Sequence, residues 1–136
     1  MVSRVSAIPA ASAMRARSHF ASLLEFETDC WDVHDALSAG DADFVLLDVR
    51  GEEAFAMGHI DHAVNLPHSQ INDASLASIP KEKLLVVYCA GPHCNGAYRA
   101  ALKLAHLERP VKIMIGGVTG WLDEGFELVR LQQRRS

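Results

Sequence analysis

Three short runs of uninterrupted apolar residues limit the architectures open to this chain. Phe44-Val45-Leu46-Leu47 stands between Asp43 and Asp48, Leu84-Leu85-Val86-Val87-Tyr88 forms a second run, and Val111 to Ile115 forms a third, broken only by Lys112. A strand with one wet face alternates apolar and polar residues, whereas a strand covered on both faces reads as a continuous apolar run. The stretches between and after these runs, Glu52–Met57, Ala74–Ile79, Ala97–Leu107 and Thr119–Glu124, have helical composition. Strands alternating with helices are joined by crossovers, which predicts an α/β domain on a mostly parallel sheet with helices on both faces. In such sheets, ligands and chemistry gather at the carboxyl ends of the strands.

The chain of 136 residues has room for one domain, and its 49% hydrophobic and 22% charged residues are those of a packed protein, not a disordered one. The formal net charge of −4 argues against nucleic acid as a partner, because duplex binding wants a basic face. Three cysteines, odd in number and sparse, fit a reducing compartment better than a disulfide scaffold. No segment approaches the ~18 consecutive apolar residues of a membrane span. The stretch before Ala11-Ser12-Ala13 is broken by Ser3, Arg4, Ser6 and Pro9, too polar for a signal peptide. A cytoplasmic protein without membrane association is expected.

Ahead of the first apolar run, residues 1–11 read as a loose arm and Ser12–Leu24, Ala-rich without Gly or Pro, as a helix. A short strand is expected around Leu24–Glu27. A helix over Cys30–Ser38 follows, capped by Thr28 or Asp29, with Trp31, His34 and Leu37 on one face and Gly40 as its stop. Arg130, Arg134 and Arg135 make the end, 129–136, a small basic tail.

The loop after the second run carries the chemistry. Cys89 follows Tyr88 directly, then come Ala90, Gly91, Pro92, His93, Cys94, Asn95 and Gly96 before the helix. Backbone amides of such a loop can converge on one atom, and the helix end adds partial positive charge. Both favour a thiolate, which is the nucleophilic form, and would equally hold an anion built on that sulfur. The local pattern leaves two readings open: an activated nucleophile, or a small buried hydrophobe at a strand end. Cys30 has no such setting and reads as inert.

The residues also carry a resemblance. Leu47-Asp48-Val49-Arg50, Glu53, Phe55, Gly58-His59-Ile60 and Ala63-Val64-Asn65-Leu66-Pro67 resemble the first signature of rhodanese-like domains. Val86-Val87-Tyr88-Cys89, with its tight loop and Ala-rich helix, resembles the second, and Gly116-Gly117-Val118 with Gly120-Trp121 the third. In the family's order these cover about residues 25–128, leaving 1–24 outside the core. The resemblance implies the rhodanese-like fold, a five-stranded parallel sheet between helices. It also implies sulfurtransferase chemistry: Cys89 takes sulfane sulfur from a donor such as thiosulfate, holds it as a persulfide, and passes it to cyanide or a thiol. It implies no cofactor. It makes a small sulfur donor, or a protein carrying a persulfide, the expected partner of a monomer or homodimer.

The chain departs from that pattern at the loop. Many family members place Arg five residues after the cysteine, and related phosphatases six residues after; here those positions are Cys94 and Asn95. The loop is also one residue longer than the commonest sulfurtransferase form. Without a guanidinium clamp phosphoryl transfer is disfavoured, and a dianionic donor such as thiosulfate lacks its counter-charge. Arg99 lies one turn into the helix. Arg50 is the candidate replacement as a substrate contact, though the Asp48-x-Arg50 pair more often braces the loop in the family. Cys94 is a candidate resolving thiol, able to attack a Cys89 persulfide or sulfenate. His93 is either a proton holder or a plain exposed loop residue. His59, His62 and His68, or Cys89, His93 and Cys94, have no metal-site spacing, so no metal is expected. Three classes of function remain: a sulfurtransferase, a sulfur-carrier or regulatory module without efficient turnover, and a redox protein using Cys89 with Cys94.

Overall fold

A computed structural model describes residues 1–131; Arg134 and Arg135 lie outside the described residues. Five strands, β1 (Glu27–Thr28), β2 (Phe44–Asp48), β3 (Val64–Asn65), β4 (Leu84–Tyr88) and β5 (Val111–Met114), form one sheet in the order β1-β5-β4-β2-β3. Every strand pairing in it is parallel. Helices α1 (Ala13–Phe26), α2 (Cys30–Ser38), α3 (Glu52–Met57), α4 (Gly96–His106) and α5 (Gly117–Asp123) supply the crossovers and layers. The three apolar runs are therefore β2, β4 and β5, the central three strands.

Two packed layers explain why those runs do not alternate. Leu85, Val87 and Cys89 join Leu47, Ala97, Ala100, Leu104 and Ile113 in a core under α4. Val86 and Tyr88 point to the other face, where Leu46, Cys30, Val33, Met114 and Trp121 form the second core under α2 and α5. From Leu85 onward each residue of β4 is thus buried whichever way it points.

Local expectations hold for most elements and fail at three. The first helix runs on to Phe26 through Leu23, Leu24 and Glu25, all good helix formers, so the strand expected at Leu24–Glu27 shrinks to Glu27–Thr28, which pair with Ile113 and Met114. Ala74–Ile79 forms turns instead of a helix. Arg109 takes its carbonyls: Nη2 donates to Leu76 O (3.1 Å) and Nη1 to Ile79 O (3.0 Å) and Pro80 O (3.2 Å). On α2, capped by the Asp29 carboxylate accepting from Asp32 N, the deepest side chains are Cys30 and Val33. Trp31 is 51% exposed; it and His34 pack against Phe126 at the rim. No helix among the described residues is long and apolar enough to cross a membrane.

Candidate functional site

β4 delivers Cys89 to the carboxyl edge of the sheet. Because it continues the side of Leu85 and Val87, its side chain belongs to the α4 layer, and it is 7% exposed. The turn between β5 and α5 clamps the chain at this point. Val118 N donates to Cys89 O (3.0 Å), and Thr119 N (2.9 Å) and Oγ1 (3.2 Å) both donate to Ala90 O. Gly117, at φ +58°, passes so close that a Cβ would run into the Cys89 carbonyl oxygen. Gly116-Gly117 thus makes a tight turn against the cysteine loop.

The loop then folds on itself. Cys94 N donates to Gly91 O (3.1 Å), and the two sulfurs, Cys89 Sγ and Cys94 Sγ, stand 2.7 Å apart as free thiols. Gly96 N, the first amide of α4, donates to Cys94 Sγ at 3.4 Å. Asn95 makes no side-chain cap, so the sulfur of Cys94 is what meets the opening of the helix.

This arrangement corrects one expectation. The loop amides and helix end were to lower the Cys89 thiol; instead Cys89 is pushed up to about 11, first by burial and next by its hydrogen bond to Cys94, with the Ala90 amide opposing weakly. Cys94 is the thiol that is lowered, first by the Cys89 thiol donating to it and next by the Gly96 amide. The two sulfurs therefore titrate as a pair, burial raising Cys89 and the Gly96 amide favouring the ionised form of Cys94.

The other candidates sort by geometry. Arg50 Nε donates to both Asp48 oxygens (3.0 and 3.2 Å), and Nη2 donates to Asp48 Oδ2 (2.7 Å) and Gly58 O (2.6 Å). With Asp48 wholly buried, this is the bracing arrangement rather than a substrate contact. Asn65 Nδ2 extends the brace to Asp48 O and Arg50 O. His59 is buried, stacked on Phe55 at 3.7 Å, and its Nδ1 donates to Phe55 O. His93 is exposed. Arg99 Nε is tied on the surface to Asn95 Oδ1 (3.1 Å). Among the described residues no three His, Cys, Asp or Glu side chains gather as a metal group.

A hollow of about 180 Å³ opens over the sulfurs, bounded by Cys89, Pro92, Cys94, Tyr98, Ile113 and the Gly116-Gly117 turn, and none of its lining side chains is charged. Sequence reasoning missed Thr119 and Tyr98 here. Tyr98 had a signal, an aromatic in the first turn of an otherwise Ala-rich helix; Thr119 had none, since its partner Ala90 is 29 residues away. What the site can do is thiol chemistry: two cysteine sulfurs stand in contact beside a small opening.

Known proteins match this chain in sequence and shape. The sequence model of the Rhodanese-like domain matches residues 31–124. The HTH-type transcriptional regulator Rv0324 of Mycobacterium tuberculosis is 34% identical over 86 residues, which are 59% of this chain and 38% of that protein. The probable adenylyltransferase/sulfurtransferase MoeZ of the same species is 32% identical over 91 residues, 66% of this chain and 23% of that protein. The chain thus spans less than two-thirds of the length of these curated relatives. Among solved structures, the BH2092 protein from Bacillus halodurans superposes with a TM-score of 0.85 at 36% identity, covering 88% of this chain and 87% of that one.

Proposed function

The chain belongs to the rhodanese-like domain family, and from that premise we propose that it is a sulfurtransferase with Cys89 as the residue that carries the sulfur. The observation that carries this reading is the placement of a free thiol at the end of the central strand β4, beneath the small hollow beside α4. MoeZ, a relative of the matched segment, is named as a probable sulfurtransferase.

In the first step the Cys89 thiolate attacks the sulfane sulfur of a donor. The donor's bond to that sulfur breaks, the remainder leaves with the electron pair, and Cys89 becomes a persulfide. The proton Cys89 must lose has a receiver at 2.7 Å, the Cys94 sulfur, whose ionised form the Gly96 amide favours. In the second step a thiophilic acceptor attacks the terminal sulfur and Cys89 leaves as thiolate, giving ping-pong kinetics. The lining has no guanidinium or ammonium group, so the donor that fits is an uncharged or singly charged persulfide or polysulfide, small or protein-borne, in preference to dianionic thiosulfate.

The test compares donors with cyanide as acceptor. Wild type is expected to form thiocyanate from cysteine persulfide at least about tenfold more efficiently than from thiosulfate, a difference of about 1.4 kcal/mol in transition-state binding. Cys89→Ser is expected to form none. Undiminished thiocyanate formation by Cys89→Ser removes Cys89 as the carrier.

A further inference from the structure

Sulfur transfer through Cys89 needs only one sulfur nucleophile, yet the fold seats a second against it. Cys94 Sγ lies 2.7 Å from Cys89 Sγ, and both border the same hollow. The contact is built in. The Cys94 amide donates to Gly91 O, which turns the loop back, and Gly96 N donates to the Cys94 sulfur. A Cβ at Gly96 would lie 2.7 Å from Cys89 Sγ and 3.4 Å from Cys94 Sγ, so the sulfur pair fills the space that a side chain there would take. The remaining thiol, Cys30, belongs to the other layer and donates to Ile115 O.

Resting on the reading of Cys89 as the sulfur carrier, we propose that Cys94 ends the cycle inside the protein, releasing the bound sulfur as sulfide and leaving a Cys89–Cys94 disulfide that a dithiol reductant reopens. An outside acceptor would approach the terminal sulfur of the persulfide through the hollow. Cys94 is held beside the inner sulfur, Cys89 Sγ, and attacks there. The new bond joins Cys94 Sγ to Cys89 Sγ, and the bond from Cys89 Sγ to the terminal sulfur breaks. The terminal sulfur leaves with the bonding pair and takes up a proton as hydrosulfide. The two cysteine sulfurs together give up two electrons, and the sulfane sulfur gains both. A small or protein dithiol then reduces the disulfide through a mixed disulfide and is itself oxidised. The Gly96 amide that holds the Cys94 sulfur does not depend on the state of Cys89 and favours the attacking thiolate. The net reaction is reduction of sulfane sulfur to sulfide at the expense of a dithiol.

A single-turnover experiment on the full chain tests this. Reduced wild type, freed of reductant, receives one equivalent of cysteine persulfide, and released sulfide and intact mass are followed together against a protein-free control. Wild type is expected to release sulfide and to end two hydrogens lighter, with peptide mapping joining Cys89 to Cys94 and leaving Cys30 free. Dithiothreitol is expected to restore both hydrogens. Cys94→Ser lacks the proton receiver of the loading step, so it is expected to gain one sulfur on Cys89 more slowly, and then to hold it, releasing at least about tenfold less sulfide per sulfur loaded. A wild type that holds the added sulfur without forming the disulfide overturns this proposal and leaves the transfer reading standing. Sulfur adding to neither protein overturns both.

Discussion

Cys30 and Cys89 are two buried thiols placed around the same glycine turn, and both are pushed up to about 11 by burial first of all. What each faces differs. Cys30 Sγ donates to Ile115 O (3.6 Å) and Gly117 O (3.9 Å), and the Asp29 and Glu124 carboxylates disfavour its ionisation further. A carbonyl accepts a hydrogen bond but does not take the proton. Cys89 faces the Cys94 sulfur, a group able to take a proton, and the hollow. Two thiols raised to a similar degree thus differ in what stands beside them: carbonyls at one, a second thiol and an opening at the other.

The largest expected effect comes from the turn the two thiols share. Gly117→Ala puts a Cβ against the Cys89 carbonyl at a positive φ. It is expected to cost about 3 kcal/mol of stability in urea unfolding, at the upper end for backbone strain. An unchanged midpoint would mean that the turn and the cysteine loop are not coupled as described.

Alkylation sharpens the comparison next. With iodoacetamide near neutral pH and masses followed by peptide, Cys94 is expected to react about a hundredfold faster than Cys30, because Cys94 is lowered and partly exposed while Cys30 is buried and raised. Equal rates would erase the distinction between the two layers.

The smallest effect is a pH dependence of stability. Cys30 is raised from 9.0 to about 11 in the folded protein. The folded state therefore holds the proton more tightly, and the stabilisation is fully present below about pH 9 and lost as pH climbs through about 11. Urea unfolding across that window is expected to show Cys30→Ala losing less stability than wild type, by on the order of 1 kcal/mol. Parallel losses in the two proteins would show that Cys30 is not protonated by its surroundings as inferred.

The architecture was legible because its signals are local. Continuous apolar runs report strands covered twice, and the Asp29 cap and the Gly116-Gly117 turn lie where residue chemistry puts them. Ala74–Ile79 misled because the helix-forming composition there competes with Arg109, some thirty residues on, whose guanidinium gathers the carbonyls into turns. At the site, the pattern pointed to Cys89, the loop and the pairing with Cys94. It misplaced the lowered thiol, since burial outweighs the loop amides at Cys89 and the first amide of α4 reaches Cys94 instead.

By itself the sequence settled which strands are covered on both faces, which strand carries the cysteine loop, and that no guanidinium stands in that loop. Those facts follow from the order and type of neighbouring residues. Only the tertiary structure decided that Arg50 is locked to Asp48 and Gly58, that Thr119 clamps Ala90, and that the sulfurs of Cys89 and Cys94 stand in contact. Each of these depends on distances set by packing, and hydrogen bonds and pKa values change over a few tenths of an ångström that no residue order encodes.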